Sequence, residues 1–298
     1  MTNKYIDELF NISTYSKDDI KNNIIKNATV EELKFHLSNN KLFQKFFDKK
    51  SISIENLDSI KLDDIPFLPV QVFKEIGGLL SSVNKDNIKA SLQSSATSGR
   101  ASKILIDRLT SRRQIKAMSM VLGDFIGKKR RPFHVMDVNP RQTHNSEITA
   151  RGAATMGFLN FSSGANYHLK SDENNNLIFD LKTFETSIDF KENNNAPIIF
   201  GFTYVLYFSV VKKLMDSNKV FSMPKDTKIL HIGGWKKLES QKVDKKTFNE
   251  DLSSVFGVDK HNIIDIYGFT EQMGLIYPDC KLGFKHACNA GISFGKDD

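Results

Sequence analysis

The sequence predicts an α/β protein with a largely parallel sheet, preceded by a helical N-terminal segment. From about residue 88, short apolar or β-branched runs alternate with helical stretches, the pattern of strand–helix–strand units. Before that, the first 50 residues read as helical, with apolar faces at helix spacing. Between the two lies Asp64-Ile65-Pro66-Phe67-Leu68-Pro69, where each proline disfavours helix geometry in its predecessor. The expected division is therefore 1–63, a helical segment, and 64–298, the α/β core.

In chain order, Thr29-Val30-Glu31-Glu32 fits a capping box and predicts a helix start, with Ser16-Lys17-Asp18-Asp19 as a looser variant. Leu33, Leu37, Leu42, Phe43, Phe46 and Phe47 supply the apolar faces. Strands are predicted at Ile104–Asp107, Phe133–Asp137, Pro197–Gly201, Ile229–Ile232 and Ile263–Tyr267. Helices are predicted at Ser111–Ile126, Ser146–Phe158, Tyr204–Met215 and Lys245–Phe256. In such a sheet, ligands sit beyond the carboxyl ends of the strands.

Composition narrows the function classes. No run approaches the roughly 20 apolar residues that a membrane helix needs, and the N-terminus lacks the apolar stretch of a secretory signal. Two cysteines are too few for a disulfide framework and fit a reducing cytoplasm. The net charge of +7 raises nucleic acid as a partner. Its one dense basic cluster, Lys128-Lys129-Arg130-Arg131, reads as a solvated turn, so no nucleic-acid partner is expected.

Three segments lie at or just beyond predicted strands. In Ser94–Lys103, small hydroxylated residues, Gly99, Arg100 and Lys103 can wrap phosphate oxygens, although the segment is no Walker A loop and also suits a surface linker. In His231-Ile232-Gly233-Gly234-Trp235-Lys236, paired glycines admit a flat ring or simply make a turn. In Asp265-Ile266-Tyr267-Gly268-Phe269-Thr270-Glu271, an aromatic can stack on adenine, a hydroxyl can bind phosphate and a carboxylate can hold Mg²⁺. The alternative there is a strand end and a helix cap at Thr270. Phe200-Gly201-Phe202-Thr203-Tyr204 is either an acyl-pocket wall or core.

The order of the three segments resembles the adenylate-forming superfamily: a Ser/Thr/Gly phosphate loop, a Gly-Gly adenine segment and a Tyr-Gly-x-Thr-Glu motif. Within it, the chain is most similar to the acyl-protein synthetases of bacterial bioluminescence. Ile65–Lys74 resembles their Ile-Pro-x-x-Pro-x-x-x-Phe-Lys, Asp107-Arg108-Leu109 their strand exit, and Gly233-Gly234-Trp235-Lys236 their Gly-Gly-Trp-Lys.

The resemblance implies the large N-terminal domain of an adenylate-forming enzyme over 64–298. It implies a ligase that converts a fatty acid and ATP to acyl-adenylate, then passes the acyl group to a protein thiol and on to an acyl-reductase partner. Ser95, Thr97, Ser98, Gly99 and Lys103 would meet the phosphates, Gly233, Gly234, Tyr267 and Gly268 the adenine, Thr270 the α-phosphate and Glu271 the Mg²⁺ ion. Ala96 departs from the family's usual glycine, and the small C-terminal domain expected after Asp298 is not in the sequence. An aryl- or acyl-CoA ligase, or a catalytically silent truncated binding subunit, are the alternatives. Cys280-x₅-His286-x-Cys288 offers three of the four ligands of a Zn²⁺ site, or two free thiols.

Overall fold

The computed structural model describes residues 4–15, 19–94, 100–140, 150–174, 176–188 and 196–291. By contact it forms two compact units: Met1–Asp124 with Phe269–Ile276 and His286–Asp298, and Phe125–Gly268 with Tyr277–Lys285. The expected boundary at residue 64 lies inside the first unit.

The first unit opens with helices α1 (Lys4–Leu9), α2 (Asp19–Asn39), α3 (Lys41–Asp48) and α4 (Val70–Ile76). Apolar residues spaced along α2 and α3 close a core of Val30, Leu33, Leu37, Phe47 and Leu57, with Phe43 and Phe46 packed against it. Leu42 is exposed instead. The capping-box expectation at Thr29 is corrected: α2 runs straight through it, and the Thr29 hydroxyl donates back to the Ile25 carbonyl at 2.8 Å. The next helix start is set by Asn40, whose side chain accepts from the N–H groups of Leu42 and Phe43. Strands β1 (Ile88–Gln93) and β2 (Lys103–Asp107) then pair antiparallel and lead into α5 (Arg108–Ile126). Asp107 caps that helix by accepting from Thr110 N–H at 2.7 Å.

The second unit holds β3 (Arg131–Met136), α6 (Ala150–Leu159), β4 (Ser162–Tyr167), β5 (Leu169–Ser171), β6 (Leu177–Phe179), α7 (Leu181–Ser187) and β7 (Ile198–Phe202). A continuous helical run follows: α8 (Thr203–Val205), a π-helical stretch (Leu206–Val211) and α9 (Lys212–Asp216). Then come β8 (Lys228–Ile232), α10 (Lys245–Phe256), β9 (Ile263–Tyr267) and β10 (Tyr277–Pro278). The main sheet has the order β10-β9-β8-β7-β3-β4, parallel throughout except for the antiparallel edge strand β10. Its central strands are near-continuous apolar runs because both faces are covered, and every residue of β7 is buried. Phe200 and Phe202 are therefore core.

The basic cluster is split by this fold. Lys128, Lys129 and Arg130 are exposed, whereas Arg131 is 8% exposed and donates to the carbonyls of Ile126, Ala196, Pro197 and Asp226. A guanidinium buried this way is satisfied by backbone, as a buried charge must be.

Candidate functional site

In the second unit, β8 and β9 are parallel neighbours in register, with Ile232 opposite Ile266. Gly233 and Tyr267 thus emerge side by side at the carboxyl edge. Gly233 has φ +84°, a conformation that L side chains rarely adopt, so the turn leaving β8 requires glycine there. Gly234 is different: a Cβ built on it would meet nothing within 4 Å. Among the described residues, no atom excludes a side chain at 234. Tyr267 is 55% exposed beside it. Trp235, in contrast, is a packing residue, edge-on to Tyr207 (5.4 Å), Phe208 (5.8 Å) and Phe248 (5.9 Å).

Beneath the glycine turn lies a polar network that the sequence did not reveal. Thr203, the first residue of α8, donates its hydroxyl proton to the Gly233 carbonyl at 2.6 Å and lies 2.9 Å from His231 Nδ1. Burial holds His231 at about 4, against the opposing pull of Asp265, so the ring is neutral near pH 7. Asp265 Oδ1 stands 3.8 Å from His231 Nδ1, and Lys285 pairs with Asp265 and Asp279. One strand further along the same edge, Asp137 pairs with Arg151 at 3.0 Å, and Arg151 donates to the Tyr204 hydroxyl at 3.0 Å.

Gly268 closes the stretch of the second unit that holds Tyr267, whereas Lys103, Thr270 and Glu271 lie in the first unit. Lys103 opens β2 with its side chain exposed. Its carbonyl is clamped against the turn Gly77–Leu79, where a Cβ on Gly77 would come within 2.4 Å of it. Thr270 and Glu271 share a single 3-10 turn, Thr270–Gln272, both half-buried. Phe269, not Thr270, occupies the cap position, with extended backbone and no side-chain cap bond. Gly274 (φ +93°) then packs on α5 so closely that a Cβ would sit 2.5 Å from Gln114. The turn bearing Thr270 and Glu271 is thereby seated on the helix that β2 leads into. Ser95, Thr97, Ser98 and Gly99 lie outside the described residues.

Of the two readings of Cys280, His286 and Cys288, the zinc one finds no support. Among the described residues, no group of three or more His, Cys, Asp or Glu side chains could hold a metal ion. Cys280 sits in a tight turn of the second unit, exchanging backbone bonds with Phe284 and Gly283. Cys288 is 3% exposed in the first unit, its thiol pushed up by burial, and His286 is exposed. The same spacing that suggested ligands places them in separate units.

Among the described residues, no helix is long and apolar enough to cross a membrane. In fold, the chain is similar to solved structures of a CoA ligase. A 2-hydroxyisobutyryl-CoA ligase in complex with 2-HIB-AMP and CoA, in its thioesterification state, superposes with a TM-score of 0.63 at 10% identity, covering 92% of this chain and 55% of that one. Its open conformation gives 0.60 at 9% identity, covering 86% and 52%. In sequence, the chain is 23% identical over 225 residues to a long-chain-fatty-acid–luciferin-component ligase of Vibrio harveyi, covering 74% of this chain and 56% of the relative. The ligase of the same description from Aliivibrio fischeri is 24% identical over 237 residues, covering 78% and 59%. The chain thus spans just over half the length of these relatives. The family described as "Acyl-protein synthetase, LuxE" matches residues 5–293, and the chain belongs to that family.

Proposed function

We propose that the chain activates a long-chain fatty acid with ATP as part of an acid–thiol ligase. The observation that carries this reading is the register of β8 and β9, which sets an open glycine turn beside an exposed tyrosine at the carboxyl edge of a parallel sheet. That arrangement suits a purine lying over Gly233 and Gly234 with Tyr267 against its face, Gly268 letting the chain turn away beneath it. The names of the relatives support a long-chain fatty acid as the second substrate.

A carboxylate is a poor electrophile because it has no good leaving group. Its oxygen attacks the α-phosphorus of ATP, the bond to the bridging oxygen breaks, and pyrophosphate leaves with the electron pair. A thiolate then attacks the acyl carbon, and AMP leaves with the electron pair of the cleaved C–O bond. The protein's task is to hold the reactants in line and to offset charge on the phosphates. Thr270 would donate its hydroxyl to the α-phosphate, and Lys103, with Ser95, Thr97, Ser98 and Gly99, would hold the outer phosphates. Glu271 suits Mg²⁺, which binds through one or two carboxylates and substrate phosphates and needs no cluster of side chains. When bound with ATP, Mg²⁺ supplies charge neutralisation. A cytoplasmic setting and an acyl-reductase partner complete the reading.

Fatty-acid-dependent exchange of pyrophosphate into ATP tests it. Exchange should require a long-chain acid and fall about 10²-fold in Glu271→Ala and in Lys103→Ala. Exchange unaffected by both substitutions would remove these residues from the site. Exchange with no acid in a broad panel would refute carboxylate activation by this chain.

A further inference from the structure

Thr203 and Gly233 are brought together by topology alone. β7 and β8 pair in parallel register up to Phe202 opposite Ile232, and the two strands then part. β8 turns through Gly233, while β7 continues into α8, whose first residue is Thr203. The Thr203 hydroxyl bridges the gap that opens.

The direction of each bond in this bridge follows from the donor inventory. A carbonyl only accepts, so the single Thr203 hydroxyl proton is committed to Gly233 O at 2.6 Å. The approach of His231 Nδ1 at 2.9 Å then requires that Nδ1 carry a hydrogen and donate to the Thr203 oxygen. His231 is 5% exposed and held by Phe248, with ring centroids 4.6 Å apart. The network thus runs inward from the turn to a fixed, buried ring.

Pinning the Gly233 carbonyl fixes more than that atom. The peptide between Gly233 and Gly234 is planar and trans, so its N–H points opposite to its C=O. With the carbonyl held inward on Thr203, the Gly234 N–H is aimed away from Thr203, on the residue whose Cβ side is open. A freely rotating Gly-Gly peptide would lose that orientation, because glycine has the widest backbone freedom of any residue.

We infer that Thr203 is a positioning residue for the nucleobase: its hydroxyl, oriented by His231, locks the Gly233–Gly234 peptide so that the turn presents a ready-made surface to a purine. This rests on the reading of Gly233 and Gly234 as the adenine segment. Thr203 touches no reacting atom, and its effect is confined to ligands that carry the base.

The test is ligand affinity measured by calorimetry on the full chain, with adenosine, ATP and inorganic tripolyphosphate as probes. In Thr203→Val, of the same shape but without the hydroxyl, affinity for adenosine and ATP should fall about tenfold while tripolyphosphate binds as before. Thr203→Ser should restore both. Equal loss for all three probes would make Thr203 a merely structural residue and overturn the inference. Gly234→Val separates this from the parent reading. If it abolishes adenosine binding while Thr203→Val does nothing, the adenine segment stands and the role of Thr203 falls. If neither substitution moves adenosine affinity, both fall. Should Thr203→Val fail to fold, Thr203→Cys keeps a weaker donor of similar size and makes the same comparison.

Discussion

His134 and His168 show how burial sets a residue's behaviour. Their rings stack at 5.1 Å, with His134 Nδ1 3.0 Å from His168 Nε2 and 3.4 Å from the Ser187 hydroxyl. Phe184 packs edge-on against both rings, and the Asp180 carboxylate, paired with Lys170, opposes the fall at His168. Burial pushes His134 down to about 4 and His168 to about 3, the second helped by its neighbour. The unfolded chain binds a proton at each ring near the ordinary value of about 6.5, the folded chain only far below it. Stability from this pair is therefore fully present above about pH 6.5 and lost as pH falls toward the folded values, on the order of 1.4 kcal/mol per pH unit per histidine. The urea midpoint should drop between about pH 7.5 and about pH 5, and the drop should be smaller in the double variant His134→Leu/His168→Leu. His231, also held at about 4, leaves that variant some residual slope. An unchanged slope in the double variant would show that these rings are not its source.

Among elements, α3 depends on one side chain. Asn40 is 6% exposed and makes four bonds: its oxygen accepts from Leu42 and Phe43 N–H, and its nitrogen donates to the carbonyls of Leu79 and Ser81, each at 3.0 Å. Asn40→Ala removes the cap and strands two carbonyls, and should lower the unfolding free energy by about 2–3 kcal/mol. Asn40→Asp keeps the acceptor but turns a donor into a charge facing two carbonyls, so it should rescue little. Equal stability of parent and Asp variant, measured by chemical denaturation, would show that only the cap matters. The sequence allowed the central strands to be read, because a strand buried on both faces must be a continuous apolar run. It misled at Thr29, where a hydroxyl three residues before a glutamate satisfies the capping pattern even inside a helix. β4, with mostly exposed residues and the composition SSGANY, carries no apolar signal at all. The turn at Gly233 was legible because a glycine straight after a strand marks a local backbone need. The Thr203–His231 contact, the Thr203–Gly233 bond and the reach of the Asn40 amide to Leu79 and Ser81 were not, since only the topology brings those groups together.

At the scale of the second unit, the parallel sheet differs between its two ends, and on the proposed reading only the carboxyl end handles the ligand. At the carboxyl ends of β8 and β9 the structure leaves an open glycine turn and an exposed tyrosine. The amino ends are stitched shut. Arg131, the first residue of β3, donates to Ala196 and Pro197 just before β7, to Asp226 just before β8, and to Ile126 at the end of α5. One side chain thus ties three strand starts and a helix end, and its removal would take this donor from four carbonyls, of which Pro197 O keeps the Lys228 N–H. Arg131→Met should therefore cost about 3 kcal/mol of unfolding free energy. Arg131→Lys should recover only part of it, because an ammonium lacks the planar fork that reaches several acceptors at once. If the two ends of the sheet are independent in this way, the folded fraction of Arg131→Met binds adenosine as the parent does. A variant that kept its stability but lost adenosine affinity would mean that Arg131 acts on the carboxyl edge through the strands. The separation of roles along the sheet would then be wrong.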